Sequence, residues 1–77
     1  MRIEEATIQP RSPLDGITLA QAQLPQKIGL LVAALRKGET LVCNPGGDQP
    51  LAAGDVLIAI GDMEHIAQLR QLAQGRS

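Results

Sequence analysis

The sequence predicts a small α+β domain, with a mostly antiparallel sheet in β-α-β-β-β-α order and both helices packed on one face of the sheet. Two apolar runs, 28–35 and 56–60, are short and rich in aliphatic residues, which is typical of buried strands. Segment 63–73 repeats its apolar residues at helical spacing and predicts an amphipathic helix. A chain of 77 residues suits one such unit, so we expect residues 1–77 to form a single domain.

The first predicted strand covers residues 3–9. Ala6 and Ile8 alternate there with polar residues, so one side of the strand is apolar and the other is solvated. Pro10 ends the strand because proline has no amide hydrogen to donate to a ladder. The Asp15-Gly16 pair then indicates a turn.

A short helix is predicted next. The run Thr18-Leu19-Ala20-Gln21 matches a capping box, in which the first and last side chains each accept a hydrogen bond from the other residue's amide. We expect this helix to stop near Leu24, because Pro25 disfavours helical backbone at the residue before it.

A hairpin of two antiparallel strands follows, over 27–36 and 40–43, with Gly38 in its tight turn. Residues 44–50 have the composition of a loop. The central strand then begins after Gly54-Asp55, and Asp62 stands where the N-cap of the last helix is expected. Residues 75–77 are expected to fray.

The second face of the apolar strands needs a cover that the two predicted helices do not provide. The single cysteine excludes an intrachain disulfide, and one cysteine with one histidine is too few for structural zinc. We therefore expect a homodimer. Its interface is assigned to Leu30, Val32, Ala34, Leu57 and Ala59, or to the residues that alternate with them.

Composition argues against several function classes. The net charge is −1 and no aromatic residue is present, so a nucleic-acid partner is not expected. No run of about 18 apolar residues occurs, so direct membrane insertion is not expected. The lone His65 has no nucleophile or carboxylate pair at a recognisable spacing, and enzymatic activity is not expected either.

Several polar residues can be interpreted either as ordinary structural residues or as functional ones. Cys43 is read as a small core residue at a strand end, with a redox thiol as the alternative. His65 is read as a solvated helix residue, because adjacent helix residues diverge and chelate metal poorly. Asp48, Asp55 and Asp62 suit turns and caps, although converging loops would make them a divalent-cation site.

Two further features concern anions. The Gly46-Gly47 pair lacks the Lys-Ser/Thr and the strand-to-helix setting of a phosphate-binding loop, so we read it as an ordinary loop. Lys27, Arg36 and Lys37 are read as solvated charges, with an alternative role at an anionic ligand. In a two-fold dimer each would occur twice, which suits a two-fold-symmetric diphosphate.

Taken in order, these residues resemble the C-terminal regulatory domain of potassium-transport proteins, the TrkA-C or RCK-C family. The resemblance covers nearly the whole chain, and the ordered set is more specific than any single piece. The matching positions are Leu14, Gly16, Leu19, Gly29, Val32, Ala34, Arg36, Gly38, Pro45, Leu51, Gly54, Asp55, Leu57 and Gly61.

The resemblance implies a non-catalytic, dimeric and cytoplasmic module, associated with the inner membrane through a transport protein. It also implies two partners, a Rossmann-type N-terminal domain and a membrane channel or transporter. The ligand it implies at the dimer interface is cyclic di-AMP or a divalent cation. We assign that ligand site to Lys27, Ile28, Leu30, Arg36 and Pro45.

Two other functions stay open at this stage. One is a structural assembly module that uses the same sheet and dimer without any ligand. The other is a small hammerhead-type carrier barrel, suggested by the turn before the central strand and by Lys37 at a hairpin tip. The apolar helix predicted over 63–73 argues against the barrel.

Overall fold

The computed structural model describes residues 1–75 and confirms the predicted α+β fold, a four-stranded antiparallel sheet with helices. Arg76 and Ser77, part of the stretch predicted to fray, lie outside the described residues. Within residues 1–75 the elements are β1 (Arg2–Thr7), α1 (Leu19–Ala22), α2 (Leu24–Lys27), β2 (Leu31–Lys37), β3 (Thr40–Cys43), β4 (Val56–Gly61) and α3 (Met63–Ala73).

The strand order β1-β4-β2-β3 places β4 in the interior of the sheet, between β1 and β2. This position explains why its sequence has no polar alternation. Leu57 and Ala59 point toward the helices and are fully buried. Ile58 and Ile60, which alternate with them, point to the opposite face and are half-buried. The strand is therefore apolar on both sides, but the helices cover one side of it.

The hydrophobic core lies between this sheet and the helices. Ala6 and Ile8 from the first strand region are buried in it, as their alternation with polar residues predicts. The amphipathic face of α3 supplies Ile66, Leu69 and Ala73. The remaining buried members of the core are Leu14, Ala22, Leu24, Ile28, Leu30, Leu35, Leu51, Leu57 and Ala59.

The predicted single helix is two separate helical turns. Its capping box is confirmed, with the Thr18 amide 2.9 Å from the Gln21 side chain and the Gln21 amide 3.2 Å from the Thr18 hydroxyl. The predicted role of Pro25 is wrong, because Gln23 ends α1 in a left-handed conformation (φ 52°). Pro25 instead lies in the first turn of α2, where its missing amide hydrogen removes no helical bond.

The second strand begins later than predicted. Lys27 is the last residue of α2 and Ile28 is its C-cap, so neither belongs to the sheet. Gly29 then turns the chain with φ 89°, and β2 starts at Leu31. The hairpin to β3 is as predicted, with Gly38 at φ 62°. Asp62 occupies the N-cap position of α3, but its side chain makes no capping hydrogen bond.

A partly buried ion pair joins the hairpin to the turn before β4. The Lys37 ammonium donates a hydrogen bond to the carboxylate of Asp55, which is a buried residue. The same carboxylate oxygen accepts from the Ala52 amide at 2.9 Å. This arrangement explains the Gly-Asp turn, since the aspartate both closes the turn and meets a cation from β2.

Replacing Lys37 by Met should lower the free energy of unfolding by about 2 kcal/mol in urea titrations. A buried charge that loses its partner usually costs roughly 3–5 kcal/mol. The smaller value is expected because the Lys37 side chain is 30% exposed and solvent already screens the pair.

The matched control is Lys27→Met, at the exposed end of α2. It should change stability by less than about 0.5 kcal/mol. Equal effects of the two substitutions would show that the pair with Asp55 contributes nothing.

Candidate functional site

The sheet face opposite the helices carries a row of exposed and half-exposed aliphatic side chains, which we call the open face: Ile3, Leu31, Leu41, Ile58 and Ile60. The register places Ile3 and Leu31 on either side of Ile60, so the three form one row across β1, β4 and β2. Ile3 is 69% exposed and Leu31 is 62% exposed. Large aliphatic residues grouped in this way mark an association surface.

One ion pair crosses the open face. Arg36 lies on it opposite Leu41 of β3, and its guanidinium is 3.8 Å from the Glu5 carboxylate of β1. Both side chains are about half exposed, so the pair contributes little to stability. Because β4 lies between β1 and β2, the pair passes over β4 beside Ile58, the partner of Glu5, and leaves the row of Ile3, Ile60 and Leu31 apolar.

A groove of about 380 Å³ opens between the two helical turns and the loop after β3. Leu31 belongs both to this groove and to the open face, so the groove opens at the border of the association surface. None of the lining residues carries a charge. They are Leu19, Ala20, Gln23, Leu24, Pro25, Gln26, Leu31, Val32, Asn44, Pro45, Gly46 and Gly47.

The loop that forms one wall of the groove is held by the first turn of α1. The first amides of a helix have no partner within it, and here the Leu19 amide donates to the Gln49 carbonyl (3.0 Å). The Ala20 amide donates to the Gly47 carbonyl (2.9 Å). A Cβ at position 47 would lie 3.1 Å from the Ala20 Cβ, so glycine allows this close approach.

The structure separates the five residues assigned to the ligand site. Pro45 lines the groove, while Lys27 lies at the exposed end of the neighbouring α2. Arg36 lies on the open face, and Leu30 is buried in the core. Ile28 is 8% exposed and lines a different groove, beside Pro13 and Leu72.

The groove residues that sequence reasoning missed come from the break between α1 and α2. Gln23 and Asn44 both adopt positive φ, at 52° and 50°. Asparagine adopts this conformation more readily than most residues, but no local sequence signal indicates it at Gln23. The Gly46-Gly47 pair is the sequence feature that points to this groove, but without the features of a phosphate-binding loop it reads as an ordinary loop. Gly47 has a steric role, because it lets the loop approach Ala20 closely.

The assignment of the dimer interface needs a correction. Leu30, Leu57 and Ala59 are 0–1% exposed within the protomer's own core, so they are not available to a partner. Val32 also packs against that core. An irregularity between Val32 and Ala34 changes which face the strand presents, so Ala34 lies on the open side, paired with Ile58. Leu31, Ile58 and Ile60 of the alternating set lie on the open face, and association through that face stays a prediction.

The residues considered as metal ligands or reactive groups lie apart. Asp55 is bound to Lys37, while Asp62 is 3.7 Å from the Met1 amino group. Within residues 1–75, no three His, Cys, Asp or Glu side chains gather as a metal site. His65 lies against Gly29, and Cys43 is exposed at the end of β3 rather than buried as predicted.

The fold is that of the RCK_C domains. The RCK_C domain dimer of S. agalactiae BusR in complex with c-di-AMP superimposes with a TM-score of 0.86 and 17% identity, over 92% of this chain and 88% of that one. The RCK C domain of the potassium transport protein KtrA, in complex with cyclic diadenosine monophosphate, gives a TM-score of 0.81 and 20% identity, over 90% of this chain and 79% of that one. BusR has also been solved in complex with promoter DNA.

The chain belongs to the TrkA-C domain family, whose pattern it matches over residues 3–74. It is also 27% identical over 62 residues to Potassium channel protein 1 of Methanocaldococcus jannaschii. That match covers 80% of this chain but spans only 19% of the channel protein's length. Among the described helices, none is long and apolar enough to cross a bilayer.

Replacing Thr18 by Val should lower the free energy of unfolding by about 1 kcal/mol, because the Gln21 amide loses its acceptor while the side-chain shape is kept. Hydrogen exchange at the Gln21, Leu19 and Ala20 amides should accelerate, since all three belong to the turn that holds the groove wall. Thr40→Val, on the exposed surface of β3, is the control. Unchanged exchange in T18V would mean that the cap does not order the groove.

Proposed function

We propose that this TrkA-C domain is a non-catalytic regulatory module of a potassium or other ion-transport system. Two copies associate through the open face, and a small ligand binds in the groove at its border. The observation that carries the proposal is the shared position of Leu31, which contacts both surfaces. A ligand in the groove would then meet the partner copy and change the strength or geometry of the association.

The open face exposes apolar side chains of the kind that a stable interface buries. A standard interface buries about 800 Å² per partner, roughly a sixth of this protomer's 4750 Å² of accessible surface. Fully burying one Leu or Ile side chain contributes about 1.5–3 kcal/mol. Ile3, Leu31 and Leu41, each more than half exposed in the protomer, are the main source of that energy.

The groove suits a flat heterocycle better than a free ion. Pro25 and Pro45 offer rigid apolar surfaces, while Gln26 and Asn44 offer amide groups that can pair with the edge of a nucleobase. Cyclic di-AMP, seen with the RCK_C domains of KtrA and BusR, is the ligand we propose. Lys27, at the exposed end of α2 beside Gln26, is the candidate phosphate partner.

Sensing requires that the ligand favour one arrangement of the dimer over another. We propose that a Rossmann-type N-terminal domain and a membrane channel or transporter receive this change, on the cytoplasmic side of the inner membrane. The M. jannaschii channel protein supports a transport setting, because this chain is similar to one segment of it. The absence of a nucleic-acid partner stays a prediction, given the DNA complex of BusR.

Leu31→Glu should weaken self-association by at least about tenfold in Kd, measured by sedimentation equilibrium, because it places a carboxylate in the apolar row. Met63→Glu is the matched control. Met63 is 63% exposed, like Leu31 at 62%, but it lies on α3, away from the open face. A wild-type protein that is monomeric throughout the micromolar range, or equal Kd values for L31E and wild type, would contradict the open-face dimer.

Calorimetry with cyclic di-AMP, AMP, Mg²⁺ and Ca²⁺ separates a sensing domain from a ligand-free assembly module. We expect heat of binding with cyclic di-AMP. The Gln26→Ala variant should bind cyclic di-AMP about threefold to tenfold more weakly, because it loses one hydrogen bond. Gln68→Ala, an exposed glutamine on α3, is the control. Lys27→Ala tests the phosphate contact in the same way.

Heat with Mg²⁺ or Ca²⁺ alone would favour a cation site formed between copies. No heat with any of these ligands would favour the assembly module. Equal affinities of Q26A and Q68A for cyclic di-AMP would show that it binds outside the groove.

A further inference from the structure

The outer edge of β1 presents backbone groups that no strand pairs with in residues 1–75. On the inner side, the Ile8 amide donates to the Asp55 carbonyl and the Ile8 carbonyl accepts from the Gly54 amide, both at 2.8 Å. In an antiparallel ladder alternate residues direct both backbone groups to the same side. Ile8 and the even-numbered residues of β1 therefore face β4. Ile3, Glu5 and Thr7 direct their N–H and C=O groups outward, and all three residues are exposed.

One side chain lies across the middle of this edge. The Arg70 guanidinium, from α3, donates to the Glu5 carbonyl at 3.4 Å and to the Glu4 carboxylate at 3.3 Å. Beyond Thr7, the edge is already closed, because the Gln9 amide donates to the Ala73 carbonyl at 2.7 Å. The Arg70 side chain is 52% exposed, so it is held by these two contacts and not by burial.

We propose that Arg70 closes the outer edge of β1 against strand addition by the same edge of a second copy. A strand with unpaired backbone groups is a ready template for another strand, and charged side chains along the edge prevent such pairing. Arg70 acts in two ways: it occupies the Glu5 carbonyl, and it places a guanidinium where the backbone of the added strand would lie.

The charges of β1 favour a second copy as the occupant. Antiparallel pairing centred on Ile3 places Arg2 of each copy opposite Glu4 of the other, because the paired residue numbers then sum to a constant. It also places Ile3 against Ile3 and extends the apolar row of the open face from one sheet to the next. Pairing centred on Glu5 would oppose two carboxylates instead. The edge is thus complementary to itself in one register, and Arg70 lies next to the segment that would pair in that register.

The test compares Arg70→Ala with wild type by sedimentation velocity across the micromolar range. R70A should form species of at least twice the wild-type mass, in proportions that rise with concentration, whatever the mass of the wild-type species. Gln68→Ala is the matched control, because Gln68 is an exposed residue of the same helix and belongs neither to the open face nor to the outer edge of β1. Q68A should keep the wild-type mass.

Two further measurements tie the new species to the edge. Hydrogen exchange at the Ile3, Glu5 and Thr7 amides should slow in R70A as the larger species forms. The double variant Arg70→Ala/Glu5→Pro should return to the wild-type mass, because proline removes an outward donor while an outer strand tolerates it. Arg70→Gln, which keeps most of the aliphatic stem, replaces R70A if thermal unfolding shows that the alanine variant is unfolded.

An R70A protein with the wild-type mass and fast exchange at those three amides would overturn the proposal. So would larger species that persist in the R70A/E5P variant or that appear equally in Q68A. These outcomes do not depend on the open-face dimer, since L31E alters that face and leaves the outer edge of β1 intact.

Discussion

The structure depends on one constraint: β4 is apolar on both faces, while the helices of this chain cover one. Leu57 and Ala59 bury themselves against α3 and the helical turns, and they define the core. Ile58 and Ile60, the next residues along the same strand, cannot reach that core because strand geometry directs them to the other side. The open face is the direct result, and the proposed association with a second copy is the way such a face is usually covered.

The position of the groove follows from the same sheet. Leu31 is the first residue of β2 and lies opposite Ile60, so it continues the apolar row of β4. It also lies next to the α1–α2 break, where Pro25 and Gln23 turn the chain back toward the loop after β3. A molecule bound there lies at the border of the open face, where the second copy is proposed to pack. This location suits a ligand that changes the association of two copies without disturbing the hydrophobic core.

Much of the fold could be predicted because the relevant signals are local. The capping box at Thr18, the Gly38 turn and the helical spacing of α3 each specify their element with neighbouring residues alone. The family resemblance was readable for the same reason, since it rests on ordered turn glycines and apolar positions.

The incorrect predictions concern features whose conformation depends on residues that are distant in the sequence. The face on which each strand residue lies depends on the irregularity after Val32, which shifts the alternation by one residue. The left-handed conformations of Gln23 and Asn44 are imposed by the loop that packs on α1. Cys43 was expected inside because free cysteines usually are, but β3 is an outer strand with one face open.

The pairing of β1 with β4 has a consequence for how the domain acquires its structure during synthesis. Arg2 pairs with Gly61, so β1 finds its partner strand only after most of this domain has followed it out of the ribosome. Closing so large a loop is entropically unfavourable and slows folding compared with the local β2–β3 hairpin. The nascent chain therefore carries an unpaired β1 until β4 has emerged, and α3 with its Arg70 follows later still.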